Sequence, residues 1–340
     1  MLDRITDYRR ALAHPQHWAV ATVVSVAGSS PAPVGTSMAV SADLEIIGSL
    51  SGGCVESTAA ALAQQSIAWG EPVLESFGPE GGQLGEVPLT CGGQIQVLIQ
   101  PLSTVARTEY DDALRLAHTD PHLGAVLRRE VQTPRGAFTV TEHREPAPRL
   151  LLFGVQDYSV HLAGMALSAG WQVVLVDHRP AFAAGDRVPQ RARLVVDDPA
   201  AAAARLLAEQ QGGWTAACVM THHPDLDVPV LAALLSAQPG PEFVGALGSR
   251  NAQRRRREAL AERGLSTEQI AAVRGPLGLD IAAGSPAESA VSALAELIAA
   301  KNTAGRLPAG RPLARSTGPI HYTRPRSQTI IEPVPVMAGS

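Results

Sequence analysis

Residues Arg149 to Asp177 read RLLLFGVQDYSVHLAGMALSAGWQVVLVD. A short apolar run, Leu150 to Phe153, meets a turn at Gly154. An amphipathic stretch over Ser159 to Ala169 follows, then a β-branched run, Gln172 to Val176, that closes on Asp177. Strand, helix and strand in about 30 residues predict one right-handed βαβ unit. Further strands are expected at Ala216 to Met220 and Phe243 to Ala246, with helices over Ala200 to Glu209, Leu226 to Ser236 and Asn251 to Arg263. Such alternation builds a parallel, doubly wound sheet, so residues 149–301 are expected to form a Rossmann-like α/β domain. Ser285, Pro286 and Glu288 read as a capping box opening a last helix that runs to about Ala300.

Working outward, residues 1–145 read as a mixed α/β domain. Strands are expected at Trp18 to Val26, Met38 to Val40, Leu44 to Gly48 and Ile95 to Gln100, and a helix over Ser57 to Trp69. A short helix near Ala113 and strands at Gly124 to Arg129 and Ala137 to Thr141 precede the boundary Pro146-Ala147-Pro148. Residues 302–340 form a Pro/Arg-rich tail with five arginines against Glu332 alone among acids. Such a composition does not fold alone. Thr329-Ile330-Ile331 is apolar enough to add to a sheet edge, and disorder is the alternative.

A net charge of -4 and a pI near 6.2 give no pull toward nucleic acid. Three cysteines and the polar start Leu2-Asp3-Arg4 fit a reducing cytoplasm. No apolar run reaches the ~20 residues of a membrane span. A homodimer is the base expectation for an oligomer.

Gly52-Gly53-Cys54-Val55-Glu56 places a thiol at a helix start, where free amides and the helix dipole favour thiolate and can bind an anion. A small buried cysteine under a glycine turn is the alternative. Cys91-Gly92-Gly93 repeats the context before a strand. If the two thiols meet they offer a soft transition-metal site or a redox pair. Cys218, inside an apolar strand, reads as core.

In the second domain Asp177 lies 23 positions after Gly154, where a dinucleotide fold places the acid that holds a ribose hydroxyl. Gln156 and Ser159 replace the second and third glycines, so the phosphate half of that fingerprint is broken. NAD(P) binding and a local turn of Asp177 with His178 and Arg179 both stay open. Three more loops fall past strand ends: Thr221 to Asp227, Gly245 to Arg250, and Gly275 to Ile281. Gly248, Ser249 and Arg250 precede a helix and suit an anion. His222 with Asp225 or Asp227 suits a metal or, more simply, a capped turn. Arg254 to Arg257 reads as a solvated helix face.

Gly28-Ser29-Ser30-Pro31, Gly48 to Glu56 and Cys91-Gly92-Gly93, with Gly245 to Arg250, Pro276 to Ile281 and Ser285 to Glu288, together resemble the XdhC/CoxI family of accessory proteins for molybdenum hydroxylases. Ala32 stands where relatives often carry arginine. The resemblance implies a cytoplasmic accessory protein that is non-catalytic or weakly catalytic. Such a protein binds and protects the molybdenum cofactor, as molybdopterin or its dinucleotide form. It assists terminal sulfuration with a cysteine desulfurase and inserts the cofactor into an apo hydroxylase of the xanthine dehydrogenase class. Taken with the strand-end loops, the expected cofactor contacts are Gly52, Gly53, Cys54, Glu56, Cys91, Gly92, Gly93, Gly154, Asp177, His222, Gly248, Ser249, Arg250 and Asp280, with Cys54 and Cys91 toward molybdenum. The competing expectation is an NAD(P)-dependent oxidoreductase using Asp177 for ribose and the His222 loop for proton transfer.

Overall fold

The computed structural model describes residues 1–28, 33–53, 55–82, 85–87, 89, 92–133, 136–183, 187–209, 213–303 and 329–333. The chain divides into two compact units. The first is built from Met1–Glu145 together with residues 329–333, and the second begins at Pro146.

In the first unit α1 (Arg9–Ala13) precedes β1 (Trp18–Ala27), β2 (Ser37–Ser41), β3 (Ile46–Gly48), α2 (Glu56–Trp69), β4 (Val73–Gly82), β5 (Gly85–Val87), β6 (Gln94–Pro101), α3 (Arg107–Ala117), β7 (Ala125–Thr133) and β8 (Gly136–Arg144). Six of these strands form an antiparallel sheet of order β3-β2-β1-β6-β4-β5. Strand β1 is apolar on both faces because both are covered. Ala19, Ala21 and Val23 pack with α2 residues Ala59, Leu62 and Ala63, while Trp18 and Val20 pack with Leu12, Leu116 and Leu127 on the other side. A register shift between Val23 and Ser25 keeps Val26 on the α2 face. Leu44, expected in a strand, instead sits in the β2–β3 turn with positive φ, its N–H donating to the Ser41 carbonyl.

A three-stranded sheet of order β15-β8-β7 completes this unit, and β15 (Thr329–Pro333) pairs antiparallel with β8 from Thr329↔Glu142 to Pro333↔Phe138. The tail therefore contributes a strand, the sheet-edge alternative for Thr329-Ile330-Ile331.

The second unit runs β9 (Arg149–Phe153), α4 (Asp157–Ser168), β10 (Gln172–Asp177), α5 (Pro180–Ala183), β11 (Arg193–Val196), α6 (Pro199–Ala208), β12 (Thr215–Val219), α7 (Pro224–Ser236), β13 (Phe243–Ala246), α8 (Arg250–Glu262), α9 (Thr267–Ala271), β14 (Val273–Arg274) and α10 (Pro286–Asn302). Its sheet is parallel throughout, in order β11-β10-β9-β12-β13-β14. This is the Rossmann-like doubly wound arrangement that the sequence predicts. Strand parity divides the core: Leu150, Leu152 and Cys218 pack with α4 and α10, and Leu151, Phe153 and Val219 with α6 and α7. Cys218 is fully buried, and burial with the nearby Glu296 charge pushes its thiol pKa well up. Strands β11 and β14 escape sequence reading because they are short edges with no fully buried residue. At α10 the Ser285 hydroxyl accepts from the Glu288 N–H as expected, but the Glu288 carboxylate reaches back to the Gly284 N–H at 2.7 Å rather than to Ser285.

One buried ion cluster ties the two sheets of the first unit. Glu142, 1 % exposed, accepts from the Met1 ammonium and the Arg129 guanidinium, each at 2.6 Å, and Arg129 also donates to the Gln100 side-chain carbonyl. Burial alone would raise the Glu142 pKa, but the Met1 and Arg129 charges outweigh it and hold the carboxyl at about 2. The folded-state pKa lies below the ordinary 4.5, so this stabilisation is complete above pH 4.5 and is lost as pH falls toward 2. Glu142→Gln is expected to cost about 3 kcal/mol in urea unfolding at pH 7, because it leaves Arg129 buried without its counter-ion. That cost should shrink below pH 4.

Candidate functional site

The strand register places several loops at one end of the antiparallel sheet. Strand β1 ends there at Ala27, opposite Gln94 where β6 begins, and β3 ends there at Gly48, opposite Met38. Strand β4 reaches the same end at Phe77, opposite Ile95. Residues 28, 49–53 with 55, and 92–93 thus cluster at one sheet end. Glycine lets the strands approach: at Gly78, whose φ is +140°, a Cβ would stand 2.8 Å from the Gly93 carbonyl oxygen, and at Gly28 it would stand 3.5 Å from Gly93 Cα. Cys54 and Cys91 lie outside the described residues. Their flanks Leu50, Val55, Leu89 and Ile95 are anchored in one core cluster.

The centre of the 49–55 loop is Glu56, the first residue of α2. Its Oε1 accepts from the Ser49 hydroxyl (2.6 Å) and the N–H groups of Leu50 (3.1 Å), Ser51 (2.8 Å) and Gly52 (2.9 Å). Its Oε2 accepts from the Ser51 hydroxyl (2.9 Å), the Gly53 N–H (2.8 Å) and the Val55 N–H (3.2 Å). Partial burial acts to raise this carboxyl's pKa, but the bonds from Ser49 and Ser51 prevail and hold it far below the ordinary glutamate range. The amides of the loop leading into the helix, Leu50, Ser51, Gly52, Gly53 and Val55, are therefore taken by the chain's own carboxylate. Glu56 sets the loop's shape and has no free oxygen to offer a cofactor, whereas Gly52 and Gly53, both at positive φ, remain exposed. Ser49 and Ser51 fall inside the Gly48 to Glu56 block but are not among the expected contact residues, although their places seven and five positions before Glu56 suit a loop closing on it.

In the second unit the loops after β9, β10, β12, β13 and β14 meet at the carboxyl end of the parallel sheet, and the nucleotide turn is closed. At Gly154, φ +109°, a Cβ would collide with Thr221 Cγ2, so β9 and β12 meet closely at the crossover point where the sheet reverses its direction of growth. Gln156 is the N-cap residue of α4, its N–H donating to the Ser159 hydroxyl at 2.9 Å, and it donates its side-chain amide to the Met220 carbonyl, lying across the position a second glycine would leave open. Asp177, 1 % exposed, accepts from the Val155 N–H at 2.7 Å and from the Arg179 N–H, Nε and Nη2, each at 2.9 Å. Burial acts to raise its pKa and the Arg179 and Val155 bonds lower it, with the net direction downward. The local turn of Asp177 with Arg179 is thus present, and the oxygens are committed within the protein. The cleft beside Gly154, Asp177, His178 and Thr221 has a free volume of about 10 Å³, room for roughly one water.

The 221–227 loop is built around a buried ion pair. Asp227 accepts from Arg256 Nε at 3.0 Å and Nη2 at 2.5 Å and from the Thr221 hydroxyl. Arg256 also donates to the carbonyls of Leu247 (2.6 Å) and Thr221 (2.9 Å), locking the loops after β12 and β13 together. This corrects the reading of Arg254 to Arg257 as a solvated face: Arg254, Arg255 and Arg257 are exposed, but Arg256 is 5 % exposed. Asp227 is likewise unavailable to a metal. Exposed His223 stands 3.7 Å from Asp225, and among the described residues no group of three His, Cys, Asp or Glu is arranged to hold a metal ion. His222 is exposed and sits against Gly248, where a Cβ would come within 3.5 Å of its Nδ1. Ser249 caps α8 through the Ala252 N–H, and Arg250 and Asp280 are exposed.

An antiparallel α/β unit carrying a clamped Gly-Gly loop, followed by a Rossmann-like unit whose nucleotide turn is closed, defines a two-unit architecture. Two family models match it: the XdhC and CoxI family over residues 11–78, and the XdhC Rossmann domain over residues 150–297. Between them they span more than half of the chain, which belongs to the XdhC and CoxI family. A Bacillus subtilis (strain 168) protein, named as a probable component of xanthine dehydrogenase, is 28% identical over 327 residues, covering 85% of this chain and 94% of its own. The molybdenum cofactor insertion chaperone PaoD of Escherichia coli K12 is 29% identical over 287 residues, 81% of each chain. Among solved structures, a Bacillus halodurans protein described as a xanthine dehydrogenase shares the fold, with a TM-score of 0.66 over 92% of this chain and 98% of its own at 22% identity.

Glu56→Gln keeps the side-chain shape but sets an NH₂ against N–H donors. It is expected to cost about 2 kcal/mol and to speed hydrogen exchange at residues 50–53, leaving exchange in β1 and β6 unchanged. Unaltered protection of the loop would show that the carboxylate does not organise it. Because the folded pKa is depressed, wild-type protection should persist from neutral pH to well below the ordinary glutamate pKa and fail only in stronger acid.

Proposed function

We propose that this chain is a molybdenum-cofactor accessory protein that receives the cofactor, shields its metal end and passes it to an apo hydroxylase of the xanthine dehydrogenase class. The observation that supports this most is the Glu56 clamp. Seven hydrogen bonds fix a loop whose exposed Gly52 and Gly53 lead directly into Cys54. A preformed loop presents a side chain at little entropic cost, and thiolate sulfur suits a soft, sulfur-bound metal. In this reading Cys54 meets the metal end, Cys91 beside Gly92 and Gly93 assists it, and Glu56 positions the loop. Membership of the family and likeness to PaoD point the same way.

In the Rossmann-like unit, the turn Gly248-Ser249-Arg250 is the stronger anion subsite. The first turn of α4 carries Asp157 and that of α7 carries Asp225 and Asp227, whereas the first turn of α8 has no acid and begins with exposed Arg250. A phosphate-bearing tail is favoured there by the helix N-terminus and the guanidinium. His222 and Asp280 flank that end of the sheet. Gly154 and Asp177 act as scaffold for the turn rather than as cofactor contacts. The chain acts as carrier, with a cysteine desulfurase as the source of terminal sulfur. The NAD(P)-dependent alternative lacks a free carboxylate for ribose, since Asp177 is engaged by Arg179 and Val155.

Recovery of molybdenum cofactor with the affinity-purified protein from a molybdenum-replete host should drop about tenfold for Cys54→Ala, as expected for loss of a metal-proximal ligand worth on the order of 1.4 kcal/mol. Equal recovery would remove Cys54 from the mechanism. Calorimetric titration with NADH and NADPH should show no saturable binding, and tight binding abolished by Asp177→Ala would revive the oxidoreductase reading.

A further inference from the structure

Helix α8 carries its charges in reverse order. Its first turn holds Arg250 and no acid, and its last turn holds Glu262 and no base. Among the described helices of eight or more residues, it alone has neither an acid at its start nor a base at its end. Both placements oppose the helix dipole. Residues four apart, Arg250, Arg254, Glu258 and Glu262, form one exposed row. Arg250 with Arg254, and Glu258 with Glu262, are like-charge neighbours, which destabilise an isolated helix. None of the four has an ion-pair partner among the described residues, and Arg254 donates to the Asn251 side-chain oxygen at 3.1 Å. By contrast, exposed Arg4, Arg10, Arg107, Arg115, Arg187 and Arg205 each meet a carboxylate.

The buried side of α8 fixes which face is presented. Arg256, midway along the helix, points into the core onto Asp227, with Gln253 and Leu260 buried beside it. About residue 256 the outer row is self-complementary. Arg254 and Glu258 stand two residues to either side and Arg250 and Glu262 six, so reversing the helix exchanges arginine for glutamate at every place. Asn251 and Ala261, which share that face, are also equidistant from the midpoint and are uncharged. At a crossing of about 50°, rows of residues four apart lie along one another. A second α8 running the opposite way then sets its Glu258 beside Arg254 and its Glu262 beside Arg250. A parallel copy would put like charge on like. A polyanion such as RNA would meet two arginines on this row and be repelled by two carboxylates.

We propose that α8 is a contact between two copies of this chain, packed antiparallel about a two-fold axis and held by reciprocal Arg254–Glu258 and Arg250–Glu262 ion pairs. A two-fold contact makes each pair twice. It also places each misordered helix end against the end of opposite sign. The outer pair shares Arg250 with the anion subsite proposed above, whereas the inner pair, Arg254 with Glu258, is independent of that reading.

Sedimentation equilibrium of the full chain tests this. In about 20 mM salt, where exposed charges are weakly screened, a monomer–dimer equilibrium with a Kd on the order of 100 µM is expected, since exposed ion pairs support only weak association. Raising the salt to about 0.5 M should shift the protein to monomer. Arg254→Glu and Glu258→Arg each set like charges at both inner contacts and should weaken self-association at least about tenfold. Both positions are exposed, so each variant should melt like wild type. An equimolar mixture of the two variants again opposes unlike charges at both inner contacts, as does the double exchange Arg254→Glu/Glu258→Arg, and each should return the dimer to near its wild-type level. The proposal is overturned by a wild-type chain that stays monomeric up to about 500 µM in low salt. A dimer indifferent to both single exchanges, or failure of the mixture and the double exchange to restore association, overturns it equally.

Discussion

A loop rich in glycine and serine between a strand and a helix has more exposed amides than its short span can satisfy with its own carbonyls. In this protein the Glu56 carboxylate turns inward over the start of α2 and accepts from Ser49, Leu50, Ser51, Gly52, Gly53 and Val55. The left-handed backbone of Gly52 and Gly53 lets successive N–H groups converge on it. Everything proposed for the first unit's metal end depends on that convergence, because it fixes the backbone of residues 49–53 and 55. The same bonds exclude an external anion from these amides, so negative groups on a cargo must be held elsewhere.

The second unit shows the same economy with a different outcome. Each polar group that would serve a nucleotide in a working dinucleotide fold is engaged by the protein: Asp177 by Arg179 and Val155, the position of the second glycine by Gln156, the hydroxyl of Thr221 by Asp227. What remains open is the α8 end, with Arg250 and no acid in its first turn. Fold and ligand chemistry have separated here, as sites grafted on a common scaffold often do.

Long periodic features are legible in the sequence. The βαβ alternation from Leu150 to Arg263 sets the class of the second unit, because buried parallel strands read as apolar runs between helices. Marginal elements are not. Strand β4 carries Glu75, Gly78 and Pro79, residues poor in strand propensity, and β14 is two residues long. In the site, spacing locates the loops but not the direction in which their polar side chains turn. Glu56 and Asp177 are expected to face a ligand, and both face the backbone. Arg256 is hidden in a basic run because neighbouring helix residues differ in exposure according to rotation alone. The cleft lined by Glu71, Gln100 and Glu130 is invisible because these residues lie far apart in the chain and have no motif.

Strand β15 gives the chain a nested topology. The first unit is completed only after the Rossmann-like unit has been made, since residues 329–333 return to pair with β8. The second unit is thus an insertion within the first rather than an appendix to it. Removing the residues beyond α10 would strip one sheet of its outer strand and leave the β8 edge open to pairing with foreign strands. During synthesis, the N-terminal unit must wait, with that edge uncovered, until residues 329–333 have left the ribosome.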